Sequence, residues 1–143
     1  AEYCIEKWGK PFALKGVMSV ADAKRAVDIG CSAIILSNHG GRQLDGSRSP
    51  FDQVKEISDA VGGDVEIIVD GGIRRGSHVL KAVAAGTTAC SFGKAVLFSL
   101  GAGGQKGVET LLENIKQEIT RNMILMGCRT LSDLNESSII YRK

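Results

Sequence analysis

Residues 33–46 read AIILSNHGGRQLDG, a stretch in which an apolar run stops abruptly at polar residues and glycines. Ala33 to Leu36 is too short for a helix and apolar at every position, as in a parallel-sheet strand whose two faces are both covered. Such sheets carry their chemistry at the carboxyl ends of the strands. His39 follows that end, and Arg42 adds a fixed positive charge. The stretch predicts a histidine base beside an anion-binding arginine, against the alternative of a loop histidine and a solvated arginine.

The same succession of apolar run, polar loop and helix recurs along the chain. Strands are predicted at residues 12–15, 33–36, 65–69 and 89–92, and helices at residues 19–29, 50–61 and 77–85. Ser19, followed by Asp22, is the predicted N-cap of the first of these helices, and Ser77 that of the third. Residues 24–33 also resemble residues 80–89, which lie 56 positions later, about two such units. Four βα units without β-hairpins predict a parallel sheet, as in a barrel or an open doubly wound sheet.

The two ends of the chain have different patterns. Between Gly103-Gly104 and Gly127 apolar residues recur at spacings of three and four, which predicts one long helix. Thr130 with Asp133 is typical of a cap on a further short turn, before a polar tail at residues 135–143. The chain begins at Ala1, without Met, in residues that resemble the last turns of a helix. We therefore expect the N-terminus to be a cut.

Composition excludes several classes of protein. The chain is 43% hydrophobic and carries 18 basic against 16 acidic residues, so no nucleic acid partner is expected. No apolar run approaches a membrane span and no signal segment opens the chain, so we expect a cytoplasmic protein. The four cysteines are widely spaced and predict reduced thiols rather than disulfides or a metal site.

Two clusters of glycine and basic residues follow the third and fourth predicted strands. They are residues 71–76, with sequence GGIRRG, and Gly93-Lys94. In (β/α)8 barrels the loops after the last two strands often bind phosphate through backbone N–H groups and a helix N-terminus. These loops therefore predict a phosphate site, the alternative being glycines that serve only as turns and arginines that are solvated. Lys15 would face the same rim, where a cation can stabilise negative charge on a cofactor ring.

Four motifs resemble the FMN-dependent α-hydroxy acid dehydrogenase and oxidase family, which includes L-lactate dehydrogenases and glycolate oxidase. They are FALKG at residues 12–16, SNHGGRQLD at residues 37–45, DGGIRRG at residues 70–76 and the Gly127-Cys128 end of the long helix. The resemblance covers essentially the whole chain. It implies an α/β fold, namely the C-terminal half of a (β/α)8 TIM barrel with four parallel βα units and a long C-terminal helix. Residues 1–143 would then be the C-terminal part of one FMN hydroxy acid dehydrogenase domain.

The resemblance also implies a function and a set of site residues. The protein would use FMN to oxidise a small L-2-hydroxy acid, with L-lactate the first expectation, to the 2-oxo acid. His39 would be the catalytic base, and Arg42 would hold the substrate carboxylate bidentately. The flavin would be bound by Lys15 at its N1/O2 edge, by Ser37, and along the ribityl chain and phosphate by Asp70, Gly71, Gly72, Ile73, Arg74, Gly93 and Lys94.

This chain departs from the family in two respects. Lys94 stands where the family usually has arginine, so a point charge replaces a planar fork at the phosphate. The preceding half-barrel is absent, with its substrate-contacting tyrosines and the carboxylate that orients the base; Asp45 is interpreted as structuring its loop. We expect this chain alone to be inactive and to associate with itself or with the missing half, and the complete protein to be a homo-oligomer. Two alternative interpretations are a fragment that only binds FMN or a partner half, and another phosphate-binding barrel enzyme.

Overall fold

The computed structural model describes residues 1–141; Arg142 and Lys143, the end of the predicted polar tail, lie outside the described residues. The helices are α1 (Glu2–Trp8), α2 (Val20–Asp28), α3 (Phe51–Val61), α4 (Gly76–Ala84) and α5 (Lys94–Met126). The strands are β1 (Ala13–Lys15), β2 (Ala33–Leu36), β3 (Glu66–Asp70) and β4 (Ala89–Ser91). Short 3₁₀ turns occur at His39–Gly41, Leu131–Asp133 and Glu136–Ser138. The structure thus confirms four strands that alternate with helices.

The four strands form one parallel sheet in the order β1-β2-β3-β4. Each strand pairs with the strand that precedes or follows it along the chain, so the described strands contain no point at which the order reverses. An open doubly wound sheet has such a reversal, whereas consecutive neighbours are the arrangement within a barrel. The strand order therefore favours the barrel over the doubly wound alternative.

The prediction that both faces of β2 are covered is wrong. Ile34 and Leu36 are fully buried beneath the helices, together with Ile67 and Val69 of β3. Ile35 and the other residues that point to the opposite face are only half-buried. Helices α2, α3 and α4 all contribute to the core that contains Ile34 and Leu36, on the opposite side of the sheet from Ile35. The sheet therefore has one closed face and one partly open face.

The starts of α2 and α4 show two ways of capping a helix. Ser19 is the predicted cap of α2, and its Oγ accepts from the Asp22 N–H at 3.1 Å. Ser77 does not cap α4 as predicted, because that helix begins one residue earlier. There Glu118 of α5 accepts from the Gly76 N–H at 2.9 Å. The cap of α4 therefore comes from a residue distant in sequence, which a local motif cannot reveal.

The predicted long helix is confirmed at both ends, but a helical segment before it was not predicted. Gly127 ends α5 in the left-handed conformation, with φ of 70°. Non-helical backbone at Gly103 and Gly104 separates the predicted helix from a first segment of α5 that begins at Lys94. The first segment, residues 94–102, places the helix start directly after β4 and thus at the carboxyl end of the sheet.

The C-terminal segment is more than the polar tail that its sequence suggests. Thr130 and Asp133 form the predicted capping box. Leu134 is buried against α4, and Ile139 packs against the hydrophobic core. Tyr141 stacks obliquely on Phe51 of α3, with ring centroids 6.5 Å apart. None of the helices in residues 1–141 is long and apolar enough to cross a membrane.

Candidate active site

The carboxyl ends of the four strands line one cleft of about 790 Å³. Its walls come from the end of β1, from the loop after β2, from the loop after β3 and from the first turn of α5. Ten of the eleven predicted site residues line it, namely Lys15, His39, Arg42, Asp70, Gly71, Gly72, Ile73, Arg74, Gly93 and Lys94. Ser37 lies beneath the cleft and is buried. The structure therefore brings together residues that are up to 79 positions apart in the sequence, from Lys15 to Lys94.

Asp70 is the centre of a hydrogen-bond network across the strand ends. Lys15 Nζ forms an ion pair with Asp70 Oδ2. Ser37 Oγ donates to the same oxygen at 2.7 Å, and Lys15 Nζ lies 3.2 Å from Ser37 Oγ. Ser91, the last residue of β4 and the neighbour of Asp70 in the sheet, also hydrogen-bonds to the carboxylate. Each of the four strands thus supplies one polar side chain at or just beyond its end.

The network changes the acidity of the carboxyl group. Partial burial alone would raise the pKa of Asp70, since it disfavours the charged form. Hydrogen bonds from Lys15, Ser37 and Ser91 stabilise the carboxylate and outweigh burial, so the pKa lies below its usual value. Asp70 is therefore ionised at neutral pH and holds the Lys15 ammonium at the floor of the cleft.

His39 has an unusual backbone conformation. Its φ is 56°, and no other non-glycine residue in the described part of the chain has a positive φ. A non-glycine residue in this region costs of order 1–2 kcal/mol and persists only where its surroundings impose it. The His39 N–H donates to Ser37 Oγ at 3.2 Å, and Gly40 N–H donates to Asn38 Oδ1 at 3.0 Å. The turn that carries the histidine is therefore fixed by the two residues before it.

Gly16 provides the space in which the imidazole lies. A Cβ at Gly16 would stand 3.3 Å from His39 Cε1, which is tighter than most Cβ contacts. Within residues 1–141 no side chain hydrogen-bonds to the imidazole, and His39 is exposed to solvent. The ring is therefore placed beside β1 by packing, without an orienting carboxylate from the described residues.

Arg42 lies in the long loop between β2 and α3. The far part of this loop is held by Arg48, which pairs with Glu56 at 2.7 Å and donates to the Asp52 carbonyl at 3.0 Å. Asn38 ties the near part to it by donating from Nδ2 to the Arg48 carbonyl at 3.3 Å. Arg42 itself is exposed, lines the cleft and makes no ion pair with any residue of the described chain. Its guanidinium is thus available to an anion.

The two adjacent arginines after β3 have different environments. Arg75 pairs with Glu118 of α5, with Nη2 at 2.9 Å from Oε1. Arg74 instead lines the cleft and has no ion pair within residues 1–141. Lys94, at the first position of α5, also lines the cleft, and its Nζ passes close to Gly40. Because the first N–H groups of a helix lack intrahelical acceptors, α5 adds donors and a partial positive charge beside Lys94.

Ser91 and Gly16 are site residues that sequence reasoning missed. Ser91 occupies the same place at the end of β4 that Lys15 occupies at the end of β1. If β4 is taken to end before Phe92, the sequence places Ser91 at the end of the strand next to Asp70, which could have indicated a contact between the two side chains. Gly16 has no comparable signal, since only the structure shows which side chain lies over it.

Comparisons with known proteins agree with this geometry. Residues 1–141 match the family model described as FMN-dependent dehydrogenase. A pre-mycofactocin synthase of Mycobacterium tuberculosis is 50% identical over 135 residues, which are 94% of this chain and 34% of that protein. An L-lactate oxidase of Nostoc sp. is 46% identical over 127 residues, which are 89% of this chain and 35% of that protein.

A solved structure shows the same likeness in three dimensions. Mandelate oxidase with benzoyl-formic acid superposes with a TM-score of 0.84 and 48% sequence identity, over 87% of this chain and 37% of that chain. The present chain thus spans about a third of the length of the curated relatives that it matches.

Proposed function

The chain belongs to the FMN-dependent dehydrogenase family, and from this premise we propose that it supplies the His39 wall of a site that oxidises a small L-2-hydroxy acid to the 2-oxo acid. L-lactate is the first substrate to test, since relatives named L-lactate oxidase and L-lactate dehydrogenase are 46% and 41% identical to the chain. A relative named 4-hydroxymandelate oxidase is 49% identical and makes an aromatic hydroxy acid the second. Because the chain covers about a third of these relatives, the activity is proposed for the full-length protein.

One observation carries the proposal: an exposed histidine with a strained backbone lies on the same cleft wall as an arginine without an ion-pair partner among residues 1–141. Strain of this kind persists at positions where function requires a particular side-chain placement. The strained histidine is His39, with φ of 56°, and the arginine is Arg42. Both lie at the carboxyl ends of parallel strands, where such folds place their chemistry.

Arg42 and His39 would have different roles toward the substrate. The planar guanidinium of Arg42 matches the two oxygens of a carboxylate and would fix the 2-hydroxy acid by a bidentate pair. A neutral His39 would then accept a proton from the substrate as two electrons leave it. FMN, when bound, supplies the acceptor for those two electrons.

The remaining cleft residues fit FMN by charge and by space. Four cations and one carboxylate line the cleft, a balance that suits a ligand carrying a phosphate. A Cβ at Gly72 or at Gly93 would meet no atom within 4 Å, so the backbone there is open to a close ligand. Arg74, Lys94 and the first N–H groups of α5 would bind the phosphate. The cleft volume is also within the range of small-molecule sites.

Lys15 and Asp70 would serve the flavin end of the site. Asp70 and Ser37 hold the Lys15 ammonium at the strand ends, where it would stabilise negative charge on the flavin ring. The second oxygen of Asp70 would accept a hydrogen bond from a ribityl hydroxyl. Lys15 is half-exposed, so it can reorient toward a ligand without leaving the cleft.

A second candidate function is binding without catalysis. The edges of β1 and β4 that face away from their partners are unpaired in the described sheet, and the opposite wall of the cleft is absent from residues 1–141. A polypeptide with this structure alone would bind phosphate groups or a partner half-barrel and turn over no substrate. Kinetics on the full-length protein separate the two candidates.

The test compares His39→Gln with Arg42→Lys in the full-length protein. His39→Gln should lower turnover of L-lactate by about 10²-fold or more, the typical effect of losing a general base, while bound FMN remains. Arg42→Lys keeps the charge but loses the planar fork, so it should chiefly raise the KM. Stopped-flow reduction of the flavin measures the first effect and steady-state kinetics the second.

Arg25→Lys is the control, because Arg25 is an exposed residue of α2 that lies outside the cleft. Its kinetics should match those of the parent. Near-parental turnover in His39→Gln would show that the proton leaves by another route and would refute the assigned base. A turnover of 4-hydroxymandelate above that of L-lactate would leave the proposed reaction unchanged and make 4-hydroxymandelate the preferred substrate.

A further inference from the structure

His78 is a histidine that the proposed chemistry does not use. It is the third residue of α4, is half-buried, and directs its ring back over the loop that follows β3. Its Nδ1 lies 3.2 Å from the Gly72 carbonyl oxygen and 3.3 Å from the Arg74 nitrogen. One ring nitrogen thus contacts the backbone on both sides of Ile73.

This contact is the polar anchor of the loop. Within residues 1–141 no other side chain hydrogen-bonds to the backbone of residues 71–75. The Ile73 side chain is buried and holds the loop to the core, whereas Gly71 and Gly72 have φ of 123° and 75°. Glycine backbone of this kind has access to many conformations, so an additional constraint is needed to select one.

The geometry indicates what the constraint does. Nδ1 can donate to the Gly72 carbonyl or accept from the Arg74 N–H, but a single nitrogen cannot do both at once. The C=O and N–H of a trans peptide point in opposite directions, so a Gly72 carbonyl directed at His78 turns the Ile73 N–H away from the ring. That N–H makes no backbone hydrogen bond within the described residues, and both Gly72 and Ile73 line the cleft.

We propose that His78 is a positioning residue that holds the residue 72–74 backbone in the conformation that presents the Ile73 N–H to the phosphate of FMN. The inference rests on the proposed function, because it requires FMN phosphate at the loops after β3 and β4. It assigns to His78 no contact with FMN or with substrate. It predicts that substitutions of His78 weaken the binding of the FMN phosphate and leave the binding of the flavin ring unchanged.

The test uses this division and needs no turnover. Dissociation constants of FMN and of riboflavin, which lacks the phosphate, are measured by flavin fluorescence with the full-length apoprotein. His78→Phe keeps a ring of similar size and removes both nitrogens, His78→Ala removes the ring, and His78→Asn keeps a short polar group. Lys81→Ala, one turn further along α4, is the control, because Lys81 lies outside the cleft and makes no ion pair among the described residues.

The expected result is a smaller preference for FMN over riboflavin in two variants. His78→Phe and His78→Ala should each reduce that ratio by about three- to tenfold, the effect of one hydrogen bond, with riboflavin affinity unchanged. His78→Asn should keep most of the parental ratio, and Lys81→Ala all of it.

Several results would overturn the proposal. An unchanged ratio in His78→Phe and His78→Ala would show that the loop keeps its shape without the ring. A parallel fall in FMN and riboflavin affinity, or failure of both variants to fold, would identify His78 as a structural residue only. An Asn variant as weak as the Phe variant would exclude the hydrogen bond as the cause. A parent that binds FMN and riboflavin equally would refute the proposed phosphate site itself, which distinguishes that failure from the others.

Discussion

Glycines in the cleft loops and glycines packed against a neighbouring helix have different surroundings. In the loops after β2 and β3, Gly41 and Gly72 have φ of 73° and 75°, and a Cβ on either would meet no atom within 4 Å. Where a glycine packs against a neighbouring helix the backbone is crowded. A Cβ at Gly76 would lie 2.7 Å from the Ile115 carbonyl oxygen, and one at Gly86 would overlap Ser58 Oγ. The first group keeps space open, and the second lets helices approach one another.

The same contrast holds for charged side chains. Arg75 and Arg48 lie outward from the cleft and are neutralised by Glu118 and Glu56. Arg42 and Arg74 line the cleft and have no ion pair among residues 1–141. In the helix-packed region the charges of these arginines are therefore balanced by glutamates of the same chain. The cleft instead presents unpaired cations and open backbone to a ligand. Experiments that perturb one region and spare the other test this division.

The largest expected effect is on a polypeptide of residues 1–143 alone. Its helix-packed region is complete, but the cleft has one wall, so proximity and water exclusion are lost; these contribute effective molarities of about 10⁵ M or more. We expect weak FMN binding, self-association through the unpaired edges of β1 and β4, and no measurable oxidation of L-lactate. Anaerobic flavin reduction and sedimentation measure these properties.

Co-expression with the remainder of the full-length protein should restore activity. Steady L-lactate-dependent flavin reduction by the monomeric polypeptide would show that one wall suffices. It would contradict the division between a complete scaffold and an incomplete site.

Arg74→Ala tests the unpaired cations of the cleft. Loss of a charge-assisted hydrogen bond to phosphate should weaken FMN binding in the full-length protein by about tenfold to a hundredfold, with little change in substrate KM. Arg75→Ala is the matched control, since its guanidinium pairs with Glu118 and should leave FMN affinity at the parental value. Equal FMN affinity in Arg74→Ala and the parent, by flavin fluorescence titration, would refute the phosphate assignment.

Sequence reasoning was sufficient for features that depend on local pattern. The bounds of β2, the Ser19 cap of α2, the end of α5 at Gly127 and the Thr130 capping box follow from neighbouring residues, and the structure confirms each. The placement of His39 and Arg74 on one rim also follows, because parallel strands bring their carboxyl ends to the same edge.

Features that depend on distant residues were not accessible in the same way. Glu118 caps α4 from 42 residues away, and nothing near Gly76 in the sequence indicates it. The burial of β2 depends on packing by residues distant in sequence, and Ile35 is only half-buried, so an apolar run alone gave the wrong burial. The φ of His39 was unpredictable because histidine rarely adopts a positive φ, and only the Asn38 and Ser37 contacts impose it.

Gly16→Ala and Gly86→Ala compare the two kinds of glycine directly. Both residues have positive φ, 95° and 108°, so both substitutions carry a backbone cost of about 1–2 kcal/mol. The Gly86 methyl group also overlaps Ser58, so Gly86→Ala should lose about 2 kcal/mol or more of unfolding free energy and keep its turnover. The Gly16 methyl group presses on the His39 ring, so Gly16→Ala should lower turnover by about tenfold or more.

Urea unfolding and flavin reduction measured on both full-length variants decide this comparison. Adding Ser58→Ala to Gly86→Ala removes the overlapping oxygen and should recover part of the lost stability. A fall in turnover in Gly86→Ala, or parental turnover in Gly16→Ala, would mean that the two regions are coupled.

The smallest effect concerns the one carboxylate of the cleft that is already neutralised. Because the pKa of Asp70 is lowered on folding, its ionised form stabilises the native state. That contribution is present above the unfolded value of about 3.8 and is lost as the pH falls through the lower folded value. Lys15 is half-exposed and solvent screens the pair, so the contribution should be about 1 kcal/mol or less.

Urea unfolding of the full-length apoprotein at decreasing pH measures this contribution. Asp70→Asn should be less stable than the parent near neutral pH, and the difference should shrink below about pH 4, where the unfolded carboxyl group binds its proton. Lys15→Met leaves Asp70 partly buried with only hydroxyl donors, so its pKa should rise and the loss of stability should begin at a higher pH. Lys106→Met, which removes an exposed ion pair with Glu109 on α5, should keep the parental pH dependence. If Asp70→Asn and the parent differ by the same amount at every pH, the ion pair contributes nothing through its charge, and the Lys15 ammonium is held in the cleft by Ser37 and packing alone.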